Sequence, residues 1–254
     1  MSDPLPLREA RDASRFGGKA ASLGAALHAG LPVPDGYALS SALVDRLAAG
    51  DSAARSTVRA LFHRVGPHAV ARSSAVGEDG DEHSFAGQHL SVLGVDSDEA
   101  LVHAVRAVHA SARTPSALAY RSRKGVAGEP RIGVVLQPLV HAECAGVLFT
   151  VCPITGRDET VIDAAWGLGE TVVQGLVTPD RYRIARDGTV TERVAGEKDL
   201  ALHATRGGTE ERAVEPHRVR ALCLDARLLA QLHALAQQCE RYFGAKRDLE
   251  WAFA

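Results

Sequence analysis

From Arg72 to Gln88 the chain reads Arg-Ser-Ser-Ala-Val-Gly-Glu-Asp-Gly-Asp-Glu-His-Ser-Phe-Ala-Gly-Gln, a run with almost nothing that can fill a core. It joins one arginine to small hydroxyls and glycines. Glycine lets main-chain N–H groups turn toward an anion, hydroxyls add donors, and arginine offers a planar fork that matches phosphate oxygens. The run therefore reads as a loop closing over phosphates, and composition alone leaves a solvated surface loop as the other reading.

A second segment, Arg15-Phe-Gly-Gly-Lys-Ala-Ala-Ser-Leu-Gly24, sets Lys19 behind two glycines at the start of a helix that spans Lys19 to His28 and closes at Gly30 and Pro32. Unpaired N–H groups and the helix dipole favour an anion at such an end, and an ammonium there can reach a phosphate. A surface lysine beside a plain turn has the same local pattern.

Periodicity predicts an α+β chain. Tyr37–Ser40 reads as a short strand, and Ala42–Leu61 as helical with a break around Gly50. Ala69–Arg72 is a strand entering the Ser-rich run. Leu101, Ala104, Val105 and Val108 recur at helical spacing, and a second helix follows Thr114-Pro115. Ile132, Val134 and Leu136 alternate as a strand, and Ala145–Val151 reads as another. Arg181–Arg186 and Thr189–Val194 flank an Asp187-Gly188 hairpin turn. His217–Phe243 is expected to form one long amphipathic helix ending at Gly244, and Arg247–Phe253 a final strand. On that strand Leu249, Trp251 and Phe253 share one face, so Glu250 projects from the other.

At 254 residues the chain can bury roughly three quarters of its unfolded surface. A net charge of −2 without a basic block argues against nucleic acid. No apolar stretch has the length of a membrane span and no signal peptide is seen, so a cytoplasmic protein without a membrane partner is expected. Cys144, Cys152, Cys223 and Cys239 lack Cys-x-x-Cys spacing and read as small apolar fillers. The eleven histidines show no metal-ligand spacing.

These segments, with Gly30-Leu-Pro-Val-Pro-Asp-Gly36, Ser84-Phe-Ala-Gly-Gln88, Gln137-Pro-Leu-Val140, Gly146-Val-Leu-Phe-Thr150, Pro153-Ile-Thr-Gly156, Asp163-Ala-Ala-Trp-Gly-Leu-Gly-Glu170, Thr178-Pro-Asp-Arg-Tyr182 and Asp248-Leu-Glu-Trp251, stand in a fixed order. Together they resemble the ATP-binding domain shared by phosphoenolpyruvate synthases, pyruvate phosphate dikinases and rifampicin phosphotransferases, a branch of the ATP-grasp superfamily. The resemblance runs along almost the whole chain. It implies one ATP-grasp domain over 1–254, with lobes near 1–136 and 141–254, a hinge at 137–140 and the nucleotide between the lobes.

Residue by residue, the resemblance makes Lys19 and Arg72 the catalytic pair that binds the ATP phosphates, and Ser84, Gly87 and Gln88 the flap over them. Gln137, Leu139 and Val140 would hold the adenine, with Val140 a source of the N–H that Pro138 lacks. Glu170 would lie on the nucleotide side near the ribose. Glu250 would hold Mg²⁺, which prefers oxygen ligands shared with phosphates.

The implied reaction moves the β-phosphoryl group of Mg·ATP to a histidine on a separate domain or subunit, giving AMP and phosphate. The final small-molecule acceptor is unknown. Two departures matter. The stretch between Pro34 and Arg72 is shorter than in relatives. The resemblance also implies, after the position of Ala254, a Leu-Gln-x-Arg-Pro-like strand that brings a second metal ligand, and it leads one to expect the phosphohistidine and substrate domains outside these 254 residues. A non-catalytic nucleotide-binding regulatory module and an ATP-grasp ligase forming an acyl phosphate are the competing expectations.

Overall fold

The computed structural model describes residues 3–77, 90–123, 125, 128–244 and 246–254. It is a mixed helix and sheet chain that divides into two compact units: Met1–Leu139 with Thr205–Gly208, and Val140–Ala204 with Thr209–Ala254.

The first unit contains β1 (Leu5–Pro6), α1 (Ala13–Phe16), α2 (Gly18–His28), β2 (Tyr37–Leu39), α3 (Ser41–Ala48), α4 (Ser52–Val65), β3 (Ala69–Ala75), β4 (Ser91–Val95), α5 (Asp98–Ser111), α6 (Pro115–Arg123) and β5 (Ile132–Pro138). Its five strands pair in the order β1-β2-β5-β3-β4, antiparallel throughout. Side chains alternate across such a sheet, and the two faces of β5 show it. Ile132, Val134 and Leu136 pack with Leu43, Val44, Leu47, Val58, Leu61, Leu101, Val105 and Val108 from α3, α4 and α5. Val135 packs on the other face with Phe16 and Ala20 from α1 and α2.

The helix starts are legible in the sequence. Ser40 accepts the N–H of Leu43, Asp51 those of Ala53 and Ala54, and Ser97 that of Ala100. Each side-chain oxygen satisfies a donor that the first turn leaves unpaired. The expected break at Gly50 separates α3 from α4, with Gly50 at φ 90°. β3 runs three residues beyond the expected end at Arg72.

The second unit contains β6 (Cys144–Phe149), β7 (Glu159–Trp166), α7 (Glu170–Val173), β8 (Asp180–Ala185), β9 (Val190–Val194), β10 (Leu200–Thr205), β11 (Gly208–Ala213), α8 (Ala226–Phe243) and β12 (Asp248–Phe253). Its main sheet has the order β12-β6-β7-β8-β9, and β10 with β11 forms a separate hairpin. One sheet face packs against α8 through Leu148, Ile162, Tyr182, Ile184, Leu229, Leu232 and Trp251.

The long helix differs from expectation. It begins at Ala226 rather than His217, because Asp225 accepts the N–H of Leu228 and caps it there. The preceding residues are held by backbone bonds of their own, from Lys198 N–H to Val219 O and from Ala221 N–H to Arg218 O. β4, β7 and the β10–β11 hairpin escape the sequence reading. β4 is short, β7 is buried on both faces and β11 is exposed along almost its whole length, so none shows clean alternation of apolar and polar residues.

Three cysteines behave as fillers. Burial raises the thiols of Cys223 and Cys239 and pushes Cys144 up to about 11. Cys152 is as buried as the others, at 2% exposure, but has polar neighbours. The Thr155 hydroxyl and N–H, with an Arg183 Nη1 3.5 Å from its Sγ, bring its thiol down to about 7.

The second unit holds the ion pair Lys198–Asp180, 2.5 Å apart, with both side chains fully buried. Asp180 Oδ1 also accepts the Gly196 N–H at 2.8 Å. Oδ2 accepts the Cys223 N–H at 2.7 Å and the Tyr182 hydroxyl at 3.2 Å. The Leu224 N–H in turn donates to the Tyr182 oxygen at 3.1 Å. One carboxylate thus ties the start of β8, the Gly196–Lys198 segment and the chain entering α8.

A buried charge that loses its partner carries the desolvation cost uncompensated. Asp180→Ala strands the Lys198 ammonium and should lower the unfolding free energy by about 3–5 kcal/mol. Lys198→Met leaves Asp180 three other donors and should cost visibly less. Urea unfolding of the two variants checks the order, and equal losses would contradict it.

Candidate functional site

In the first unit the site is built where α2 begins. Gly17 stands before α2 at φ 83°, a left-handed conformation open to glycine. It lies so close to β3 that an added Cβ would meet the Ser74 carbonyl oxygen at 2.0 Å and the Ser74 Oγ at 2.5 Å. The helix has no capping side chain of its own. Instead the Ser74 hydroxyl accepts the Ala20 N–H at 2.9 Å in a buried bond. Lys19, the residue before Ala20, is partly exposed at the second position of the helix.

Arg72 lies on β3, opposite Val135 of β5, while Ser74 lies opposite Gly133. Residues two apart on a strand share a face, so Arg72 and Ser74 both face the side that α1 and α2 cover. The strand that carries the arginine is thus the strand that seats the lysine-bearing helix. β4 pairs with β3 so that Ser91 lies opposite Arg72, and Ser73 N–H donates to Leu90 O. Ser84, Gly87 and Gln88 lie outside the described residues.

The serines next to Arg72 are not placed as phosphate donors. Ser73 is 2% and Ser74 0% exposed. Gln137 is also buried, and its amide Nε2 donates to Pro34 O at 2.6 Å, pinning the Leu31–Gly36 turn to β5. The Leu139 N–H donates to His68 O at 2.9 Å, which leaves Leu139 its carbonyl and side chain for other contacts. Val140, partly exposed, opens the second unit.

In the second unit Glu170 and Glu250 fall on different elements. Glu170 is the first residue of α7, reached from β7 through Gly167 at φ 76°. Trp166 is occupied by packing: its Nε1–H donates to Arg218 O at 3.1 Å, and the Arg218 guanidinium stacks 4.0 Å from the ring centre. Glu250 is exposed on β12, opposite Val147, while Leu249, Trp251 and Phe253 turn to the core as the alternation predicts. The same polar face carries Asp163 and Arg181, paired across β7 and β8 by two bonds of 2.8 and 2.9 Å.

Sequence reasoning missed Ser74 and Asp180 as organising groups. Asp180 has a visible signal, since alternation along Asp180, Tyr182 and Ile184 puts a carboxylate on the buried face. Ser74 has none, because its partner is 54 positions away in the chain.

Among the described residues no group of three or more His, Cys, Asp or Glu could hold a metal ion, and no helix is long and apolar enough to cross a membrane. A lone carboxylate such as Glu250 does not form a protein cage for a metal. It does fit the way Mg²⁺ is held with a nucleotide, through one or two carboxylates and the phosphates themselves.

Residues 52–254 match the family model described as the pyruvate phosphate dikinase AMP/ATP-binding domain. A rifampicin phosphotransferase of Bacillus cereus is 38% identical over 200 residues, covering 77% of this chain and 23% of that protein. A probable phosphoenolpyruvate synthase of Methanothermobacter thermautotrophicus is 32% identical over 288 residues, covering 95% of this chain and 42% of that protein. The prodigiosin synthesizing transferase PigC of Serratia marcescens is 38% identical over 267 residues, covering 94% of this chain and 30% of its own. The chain therefore spans less than half the length of each of these relatives. The 288-residue alignment is also longer than this chain, so that relative carries residues this chain lacks.

The contact between Gly17 and Ser74 sets a stability expectation. Gly17→Ala adds a Cβ into backbone atoms at a left-handed φ and should destabilise by more than about 2 kcal/mol. Gly30→Ala, where nothing lies within 4 Å of the new Cβ, adds only backbone strain and should cost less. Urea midpoints of the two variants measure the difference.

Proposed function

The chain belongs to the pyruvate phosphate dikinase AMP/ATP-binding domain family, and we propose that it is an ATP-grasp domain that binds Mg·ATP and donates the β-phosphoryl group to a histidine on a separate domain or subunit. The observation that supports this most is the joint placement of Lys19 and Arg72. A helix N-terminus with an ammonium and a strand with a guanidinium are locked together through Gly17 and Ser74. Phosphoryl transfer leaves little covalent work for a protein, so positioning and fixed charge are the main contributions such residues make.

In this reading Lys19 and Arg72 grip the polyphosphate, and Arg72 faces the charge that builds on the transferred group. Val140 and Leu139 meet the adenine, Glu170 lies on the ribose side, and Ser84, Gly87 and Gln88 cover the phosphates. Glu250 is the protein ligand for Mg²⁺, which when bound neutralises phosphate charge. The products are AMP, inorganic phosphate and a phosphohistidine, with water supplying the remaining oxygen. A small molecule then takes the phosphate from that histidine.

Calorimetry with Mg·ATP tests the binding half. Lys19→Ala and Arg72→Ala should each weaken binding by roughly tenfold or more, the scale of a lost charge-assisted contact. Glu250→Gln should remove the Mg²⁺ dependence of that binding. For the transfer half, ATP labelled at the β-phosphate should label a histidine-bearing domain added in trans, with an acid-labile bond, and Arg72→Ala should not. Absence of ATP binding at millimolar nucleotide would sink the proposal. Labelling of a carboxylate substrate in place of histidine would turn it toward an acyl-phosphate ligase.

A further inference from the structure

Two adjacent serines on β3 share a sequence context and have opposite surroundings. Ser73 faces the α3–α5 side, with Ala71 and Ala75 in that core, and its Oγ is buried with no hydrogen-bond partner among the described residues. Ser74 faces the α2 side, fully buried, and its Oγ accepts the Ala20 N–H at 2.9 Å. Gly17 is stacked on the Ser74 backbone beside this bond.

A capping hydroxyl normally comes from the residue just before a helix. Here the residue before α2 is Gly17, which has no side chain, and the hydroxyl comes from another element. Its effect therefore extends beyond the helix end. The amide that Ser74 holds belongs to Ala20, whose Cα is one residue step, about 3.8 Å, from the Cα of Lys19. The Cα of Arg72 lies two residues back along β3, roughly 7 Å from that of Ser74 on the same face. One hydroxyl thus sets the register between the strand of the guanidinium and the helix of the ammonium.

We infer that Ser74 is a positioning residue for polyphosphate: it fixes the spacing of Lys19 and Arg72 so that both cations reach one chain of phosphates, without contacting the phosphates itself. This rests on the reading of Lys19 and Arg72 as the phosphate grip. Ser73, its neighbour on the opposite face, has no such role and serves as the internal control.

The experiment compares wild type, Ser74→Ala and Ser73→Ala by calorimetry with Mg·ATP and with inorganic triphosphate, alongside urea unfolding and amide exchange. Ser74→Ala should lose roughly tenfold in affinity for both ligands, and the Ala20 amide should lose its protection while the β5 amides keep theirs. Ser73→Ala removes an unsatisfied hydroxyl, so its affinity should stay within about twofold of wild type and its urea midpoint should be equal or higher. If Ser74→Ala is too unstable to measure, Ser74→Cys, which keeps the side-chain shape and puts a weaker acceptor in place of the hydroxyl, carries the same comparison.

Unchanged affinity in a Ser74→Ala protein, even one with lowered stability, would overturn the inference and leave the phosphate grip standing. So would equal losses in the two serine variants, or an Ala20 amide that is unprotected in wild type. Failure of wild type to bind either ligand would remove the phosphate grip and this inference together.

Discussion

Everything proposed for the first unit depends on one close approach, the seating of Gly17 against the Ser74 backbone. Two chain segments touch there with no side chain between them, and the only residue that allows it is one without a Cβ. The adjoining hydrogen bond from Ala20 to Ser74 satisfies a donor that α2 cannot satisfy locally. The same few atoms decide where the helix begins, how it meets the sheet and where Lys19 lies relative to Arg72. Packing then holds the arrangement, since Phe16 and Ala20 bury against Val135 on that face.

The second unit uses a different device. Asp180 gathers an ammonium, two backbone N–H groups and a phenol around one carboxylate in a site without solvent. A buried ion pair is weak evidence for stability, because desolvation opposes the Coulombic gain. The value of this one lies in connection. Three stretches, the start of β8, the segment after β9 and the chain before α8, end on the same acid. Tyr182, whose phenol is pushed up by burial, extends the network to the Leu224 N–H.

Much of this was legible in the sequence. Lys19 at a helix start, the break at Gly50, the hairpin at Asp187-Gly188 and the alternation that turns Glu250 away from Trp251 all follow from local rules, and the structure agrees with each, whereas the strand expected to end at Arg72 runs on to Ala75. The errors have physical causes too. The long helix starts nine residues later than its leucine pattern suggests, because Cys223 and Leu224 reach the core from irregular backbone while Leu222 stays exposed. The hydroxyls after Arg72 look like anion donors in composition, yet both are buried, one facing the helical core and one holding α2.

The sequence by itself determined the things that depend on neighbours in the chain: the helix start at Lys19, the break at Gly50, strand faces, and the family to which the ordered motifs belong. Tertiary structure alone decided what Ser74, Gln137 and Asp180 do. Their partners are 54, 103 and, for the Cys223 amide, 43 positions away. A hydrogen bond is read within a few ångströms, and no local pattern in the chain records which distant segment folding will bring that close.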